Sequence, residues 1–204
     1  MKFTGLVVAT VLLAALPHQP GTGPATTPAT PGLPAASTPL TPSATEPQAA
    51  PVRPGDPAPA VTFQTADGAS LTLRDLLEQG HALLVFAPGD DALRALQQER
   101  ARLLDLGVVP VAVLDARAGA ARARRARLGL TFVVASDARR IVASQFNLVD
   151  DAAQRVAPSW FVVDRGGRVR ALRRNHLPDG GWPGIAAAAL GLPASEVALP
   201  TRTR

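Results

Sequence analysis

The sequence predicts an α/β fold, in which a mixed, mostly parallel sheet is flanked by helices and ends in a closing β-hairpin and a C-terminal helix. Three observations predict it. Short apolar runs recur between Gly and Pro, as in Ala82–Phe86 and Val108–Leu114, and such runs read as buried strands. Segments with helical spacing alternate with them, and alternating strand and helix units argue for a parallel sheet with helices on its faces. Near the end, Asp164-Arg165-Gly166-Gly167 separates two strand-like runs and reads as a hairpin turn.

The elements follow in order. Ala82–Phe86 is a strand bounded by Gly80 and Pro88. Asp90 or Asp91 then caps a helix to about Leu106, with Leu93, Leu96, Leu103 and Leu104 at helical spacing and Gly107 as its stop. Val108–Leu114 is the second strand and Ala118–Leu128 a basic helix. Thr131–Ala135 is a short strand, and Asp137 starts a helix to about Phe146. Ser159–Val163 and Arg168–Leu172 form the hairpin, and Trp182–Leu190 is the last helix, stopped by Gly191 and Pro193.

The first fifty residues are of a different kind. Lys2 precedes an apolar, uncharged run from Gly5 to Leu16. Twelve residues are too few to span a hydrocarbon core about 30 Å thick, so residues 1–17 read as a signal peptide or short hydrophobic segment. Residues 17–59 hold 13 of the 20 prolines, and Glu46 is the only charge between Pro17 and Val52. Such a stretch buries too little apolar surface to offset its ordering entropy. We therefore divide the chain into residues 1–17, a Pro/Thr/Ala-rich linker over 18–52, one domain over 53–193 and a tail over 194–204. The expected location is outside the cytoplasm, in the periplasm, cell envelope or medium. After signal cleavage no transmembrane helix is expected.

Composition excludes more than it assigns. The chain has no cysteine among its 204 residues, which removes disulfides, Fe–S clusters, thiolate zinc sites and any thiolate nucleophile. The formal charge is +5, and Lys2 is the only lysine beside 20 arginines. Export argues against nucleic acid as the partner of that charge. The three histidines, His18, His81 and His176, lack metal-ligand spacing, so no metal and no cofactor are expected. Asp90 and Asp91 are read as helix caps rather than an acid/base pair. Arg117, Arg122, Arg124, Arg125 and Arg127 form the densest basic patch. It is read as a solvated helix face, with anionic lipid or another polyanion as the functional alternative.

Several motifs, in order, resemble a known family. Gly55-Asp56-Pro57-Ala58-Pro59 followed by Phe63 is similar to its opening G-x-x-A-P-x-F. Asp67-Gly68 with Leu71 to Leu76 resembles D-G-x-x-x-x-L-x-D-L. Leu83–Pro88 resembles the strand ending in F-x-P, Ser136-Asp137 its S-D pair, and Phe161–Val169 its F-x-I-D-x-x-G-x-V. Residues 53–193 thus resemble a redoxin domain of the peroxiredoxin type, the AhpC/TSA group, which implies a thioredoxin-like fold. The family's active site reads P-x-x-x-[ST]-x-x-C, with the thiolate in the first turn of a helix. On this chain Pro88 matches the proline, but Ala92 and Ala95 stand where the hydroxyl and the thiol are needed. The thioredoxin-like C-x-x-C register places Asp91 and Arg94 on the cysteines instead. The resemblance also implies a cis peptide at Pro158.

These readings lead to a non-catalytic module, expected to hold a protein or peptide partner of the cell envelope through Pro88, Asp91, Ala95, Pro158 and Trp160. The alternatives are an antioxidant or oxidoreductase-type activity by non-thiol chemistry, and an Arg-rich binder of anionic envelope polymers.

Overall fold

A computed structural model describes residues 50–150 and 152–193. The apolar run, most of the Pro-rich linker and the tail lie outside these residues. The chain enters through a β-hairpin of β1 (Thr62–Thr65) and β2 (Ser70–Thr72), with Phe63 opposite Leu71. Gly68 takes a φ of +91° in its turn, a conformation that favours glycine. Helix α1 (Leu73–Gln79) starts at a reciprocal cap. The Asp75 N–H donates to Thr72 Oγ1 at 3.1 Å, and the Thr72 N–H donates to Asp75 Oδ2 at 2.9 Å, satisfying two donors that helix formation orphans.

There follow β3 (His81–Phe86), α2 (Asp90–Asp105), β4 (Val108–Leu114), α3 (Ala118–Arg127), β5 (Val133–Ser136) and α4 (Ile141–Gln145). A small hairpin of β6 (Val149–Asp150) and β7 (Arg155–Val156) leads to β8 (Ser159–Val163), β9 (Val169–Arg173) and α5 (Trp182–Leu190). The main sheet runs β2-β1-β5-β4-β3-β8-β9. It is mixed, as expected, but its parallel part is only the central trio β3, β4 and β5. The other four pairings are antiparallel, so "mostly parallel" overstates the parallel share. The reason is the β1–β2 hairpin, whose strands of four and three residues carry too little apolar pattern to be read as strands. The predicted closing hairpin is β8–β9, and α5 has its predicted bounds. The helix expected from Asp137 is shorter. Residues 137–140 make a turn, and the Asp137 carboxylate accepts the Val142 and Ala143 N–H groups at 3.3 and 2.9 Å.

Alternation along β3 and β8 divides the core. Leu84, Phe86, Phe161 and Val163 face α1 and α4, where Phe86, Phe146 and Phe161 stack with centroids 4.9–5.7 Å apart. Leu83, Val85, Trp160 and Val162 face the side packed by Leu93 and Leu96 of α2, Ala121 of α3 and Trp182 of α5. Residues 55–58 run beside edge strand β9, exchanging backbone bonds with Gly167 and Val169 at 2.7–2.9 Å. This protects part of an edge that would otherwise offer unpaired donors and acceptors. Among the described residues no helix is long and apolar enough to cross a membrane.

Candidate functional site

The site equivalent to the family's reactive centre lies where β3 turns into α2. Ala87 has a φ of +47°, a left-handed conformation that costs a non-glycine residue about 1–2 kcal/mol. Its N–H donates to Val113 O at 2.9 Å, which holds it there. Pro88 follows, buried. Gly89 is the N-cap and gives no side-chain bond, so neither Asp90 nor Asp91 caps the helix. They are its first two residues, where negative charge suits the helix dipole.

Asp90 does more. Its Oδ1 accepts Arg124 Nε and its Oδ2 accepts Arg127 Nη2, both at 2.7 Å. Arg124 Nη2 also donates to Pro88 O at 3.1 Å. A carboxylate held by two arginines of α3 thus occupies the start of α2. Hydrogen bonds from Arg127 and then Arg124 hold its pKa below the ordinary 3.8. The unfolded chain therefore takes up this proton at higher pH than the folded one. The stabilisation is complete above the ordinary value and is lost as pH falls through the depressed one. Asp90→Asn is expected to unfold at lower temperature than the parent at neutral pH, with the gap closing as both are titrated into acid. A gap independent of pH would count against the clamp.

Four of the five arginines of the predicted basic patch have partners within the domain. Besides Arg124 and Arg127, Arg122 Nε donates to Ala66 O at 3.0 Å, and Arg125 pairs with Asp67 and donates to Leu130 O. The patch straps α3 to the β1–β2 turn and to α2 rather than presenting free charge. Only Arg117 makes no such bond among the described residues. The partners lie 34–58 residues away for Asp90, Asp67 and Ala66, a distance that local sequence pattern does not reveal.

The five residues expected to form a binding surface separate. Ala95 and Trp160 are each 9% exposed and share a core cluster with Leu93, Leu96 and Trp182. With Pro88 also buried, three of the five lie inside. Asp91 is open to solvent and pairs with Arg94 at 2.9 Å, and Pro158 is exposed. β8 is buried at every position, so only its register against β3, with Val85 beside Trp160, fixes the face on which Trp160 packs. The expectation of a cis peptide at Pro158 fails: no cis bond occurs among the described residues. The Ala157 N–H donates to Leu148 O at 2.8 Å, extending the β6–β7 pairing to the residue before Pro158, and the chain continues into β8 with a trans bond.

Sequence reasoning missed an open groove of about 630 Å³ elsewhere. It lies between residues 58–62, α1 and the β8–β9 turn, lined by Pro59, Val61, Leu77, Glu78 and Arg165. It sits toward the N-terminal end of β3, away from Ala95. It was missed because it is made by backbone crossing between sheet edges, which leaves no motif.

A three-stranded parallel centre, an antiparallel β8–β9 pair and helices on both faces define a thioredoxin-like redoxin domain. The AhpC/TSA family pattern matches residues 54–172, more than half of the chain, and the chain belongs to that family. It does so without the reactive thiol, since no cysteine is present. Solved structures agree on the fold. Peroxidoxin BcpB from Mycobacterium tuberculosis superposes with a TM-score of 0.63 at 17% identity, over 69% of this chain and 97% of that one. The bacterioferritin comigratory protein of Xanthomonas campestris, a structure described in terms of alkyl peroxide reduction, gives 0.57 at 15%, over 64% and 90%. Enterococcus faecalis AhpC gives 0.59 at 15%, over 68% and 90%. No curated protein sequence matches the chain.

Proposed function

We propose that this protein is an exported redoxin domain that binds a protein or peptide partner in the cell envelope and carries out no thiol chemistry. The observation that carries this reading is the replacement of the family's two reactive polar groups by Ala92 and Ala95, with Ala95 closed into the core beside Trp160. The apolar N-terminal run and the Pro-rich linker support export. With the old centre sealed, contact with a partner falls to its exposed rim, Gly89, Asp91, Arg94 and Pro158. The groove beside Pro59 and Leu77 supports a second reading of where the partner sits, because concave, part-apolar surface is where ligands bind.

The full chain used as bait in an envelope extract separates the two. A partner lost from Asp91→Arg/Pro158→Arg and kept by Leu77→Arg supports the rim, and the reverse supports the groove. A partner indifferent to both, or none at all, overturns the binding reading.

The chemistry is tested separately. The parent is expected to reduce neither hydrogen peroxide nor alkyl peroxides with a dithiol reductant. Ala92→Thr/Ala95→Cys is expected to stay inactive as well. Only the first four residues of a helix offer free N–H groups. Helix α2 begins at Asp90, so position 95 is its sixth residue. A thiol there is past the positive end and buried, which raises its pKa above the ordinary value of about 8.5. Iodoacetamide labelling against pH reads that pKa. Peroxide turnover by the parent in metal-free buffer would overturn the non-catalytic reading. A low thiol pKa in the variant would overturn this account of the helix.

A further inference from the structure

The arginines of α3 are occupied inside the domain, yet four others at one end of the sheet are free. The parallel strands β3, β4 and β5 end together at Phe86, Leu114 and Ser136, as their pairing shows. Beta strand β8 begins and β9 finishes at the same end, since Ser159 lies opposite Phe86 and Arg173 opposite Trp160. Arg117 follows β4, Arg139 follows β5, Arg155 lies on the β6–β7 hairpin and Arg173 closes β9. All four are exposed, and none pairs with a carboxylate among the described residues.

Among the described residues, all but one of the acidic groups of this end are paired or buried. Asp115 pairs with Arg140 at 3.1 Å, Asp91 with Arg94 at 2.9 Å and Asp90 with Arg124 and Arg127. Asp137 is buried, and Asp150 accepts the Ala153 N–H at 2.9 Å. Arg140 Nη1 donates to Gln154 Oε1 at 3.5 Å, which places the β6–β7 hairpin beside the loops after β4 and β5. The chain also enters the domain here, because Arg174 Nη2, next after β9, donates to Val52 O at 2.9 Å. The described chain, from residue 50, therefore begins beside the arginine-bearing end.

We propose that this end docks on an anionic phospholipid bilayer through Arg117, Arg139, Arg155 and Arg173. Among the described residues these four exposed arginines face one exposed carboxylate outside any ion pair, Asp150 opposite Arg155, and the remaining positive charge complements a negative lipid surface. The inference goes beyond partner binding, since it concerns other residues of the end that carries Gly89 and Pro158 and a different class of partner.

The test uses the full chain and sedimentation with two kinds of vesicle, phosphatidylcholine alone and phosphatidylcholine mixed with phosphatidylglycerol. Any insertion of the apolar run affects both, so the readout is the ratio of the two partition coefficients. Each of Arg117→Gln, Arg139→Gln, Arg155→Gln and Arg173→Gln is expected to lower that ratio about five-fold, and the quadruple variant by about several hundred-fold. Added salt should lower the parent's ratio steeply. Arg74→Gln/Arg100→Gln/Arg102→Gln, on α1 and the later part of α2, should leave it within about two-fold. Equal losses per charge in both sets would overturn the proposal, because net charge alone would then be at work. So would a parent ratio near one, or a parent that binds soluble polyphosphate and is stripped by it from vesicles with no lipid preference.

Discussion

Trp182→Ala is expected to destabilise the domain by about 3–5 kcal/mol, the cost of emptying a buried aromatic site. The indole is fully buried at the first residue of α5, in one cluster with Leu93, Ala95, Leu96, Trp160 and Ala186. Its backbone is pinned as well. The Glu99 carboxylate on α2 accepts the Gly181 and Trp182 N–H groups at 2.9 and 2.8 Å, capping α5 from a neighbouring helix. The chain therefore cannot easily move to fill the void. Yet the indole is not ideal for its place: Nε1 is buried and has no acceptor among the described residues, and a buried unmet donor costs about 1–3 kcal/mol. Trp182→Phe keeps most of the apolar volume and removes that donor, so its loss should stay below about 1.5 kcal/mol. Urea unfolding of the two variants measures the difference. A Phe variant as unstable as the Ala variant would mean that the indole's shape, not its apolar volume, is what the core requires.

The same packing marks how far the sequence could be read. Long apolar runs and helical spacing disclosed β3, α2, β4, the β8–β9 hairpin and α5, because each buries enough side chain to show it, whereas α3, which buries only Ala121, was legible as a run of arginines and alanines. The β1–β2 hairpin was legible only as a motif, and β6 and β7, two residues each, have no period to show. At the site, the missing thiol was visible in composition alone. Its closure was not, because Ser159–Val163 is buried throughout, and a strand without polar–apolar alternation from Trp160 to Val163 does not say which residues face which helix. Asp90 was recognised as charge at a helix start, but its real partners, Arg124 and Arg127, are brought to it only by the fold. The start of α2 is thus occupied by a carboxylate clasped by two arginines.

Gly80→Ala is expected to destabilise the domain by about 3 kcal/mol or more, at the upper end for overpacking. The reason is contact rather than backbone conformation. Gly80 ends α1 with a φ of 178°, which any residue adopts. A Cβ there, however, would lie 2.4 Å from the carbonyl oxygen of Gly107 and 3.2 Å from its carbon. That oxygen accepts the His81 N–H at 2.8 Å, just where β3 and β4 begin to pair, His81 beside Val108. The obstacle is backbone, so no rotamer change relieves it, and either the hydrogen bond or the start of the parallel pair must yield. Gly184→Ala supplies the opposite sign. It lies inside α5 with nothing within 4 Å of an added Cβ, and alanine in a helix is favoured over glycine by about 0.5–1 kcal/mol. Urea midpoints that move in opposite directions support the steric account. If Gly80→Ala proves near neutral, the α1–β3 junction and the turn before β4 are free to separate. The parallel centre would then not rest on that close approach.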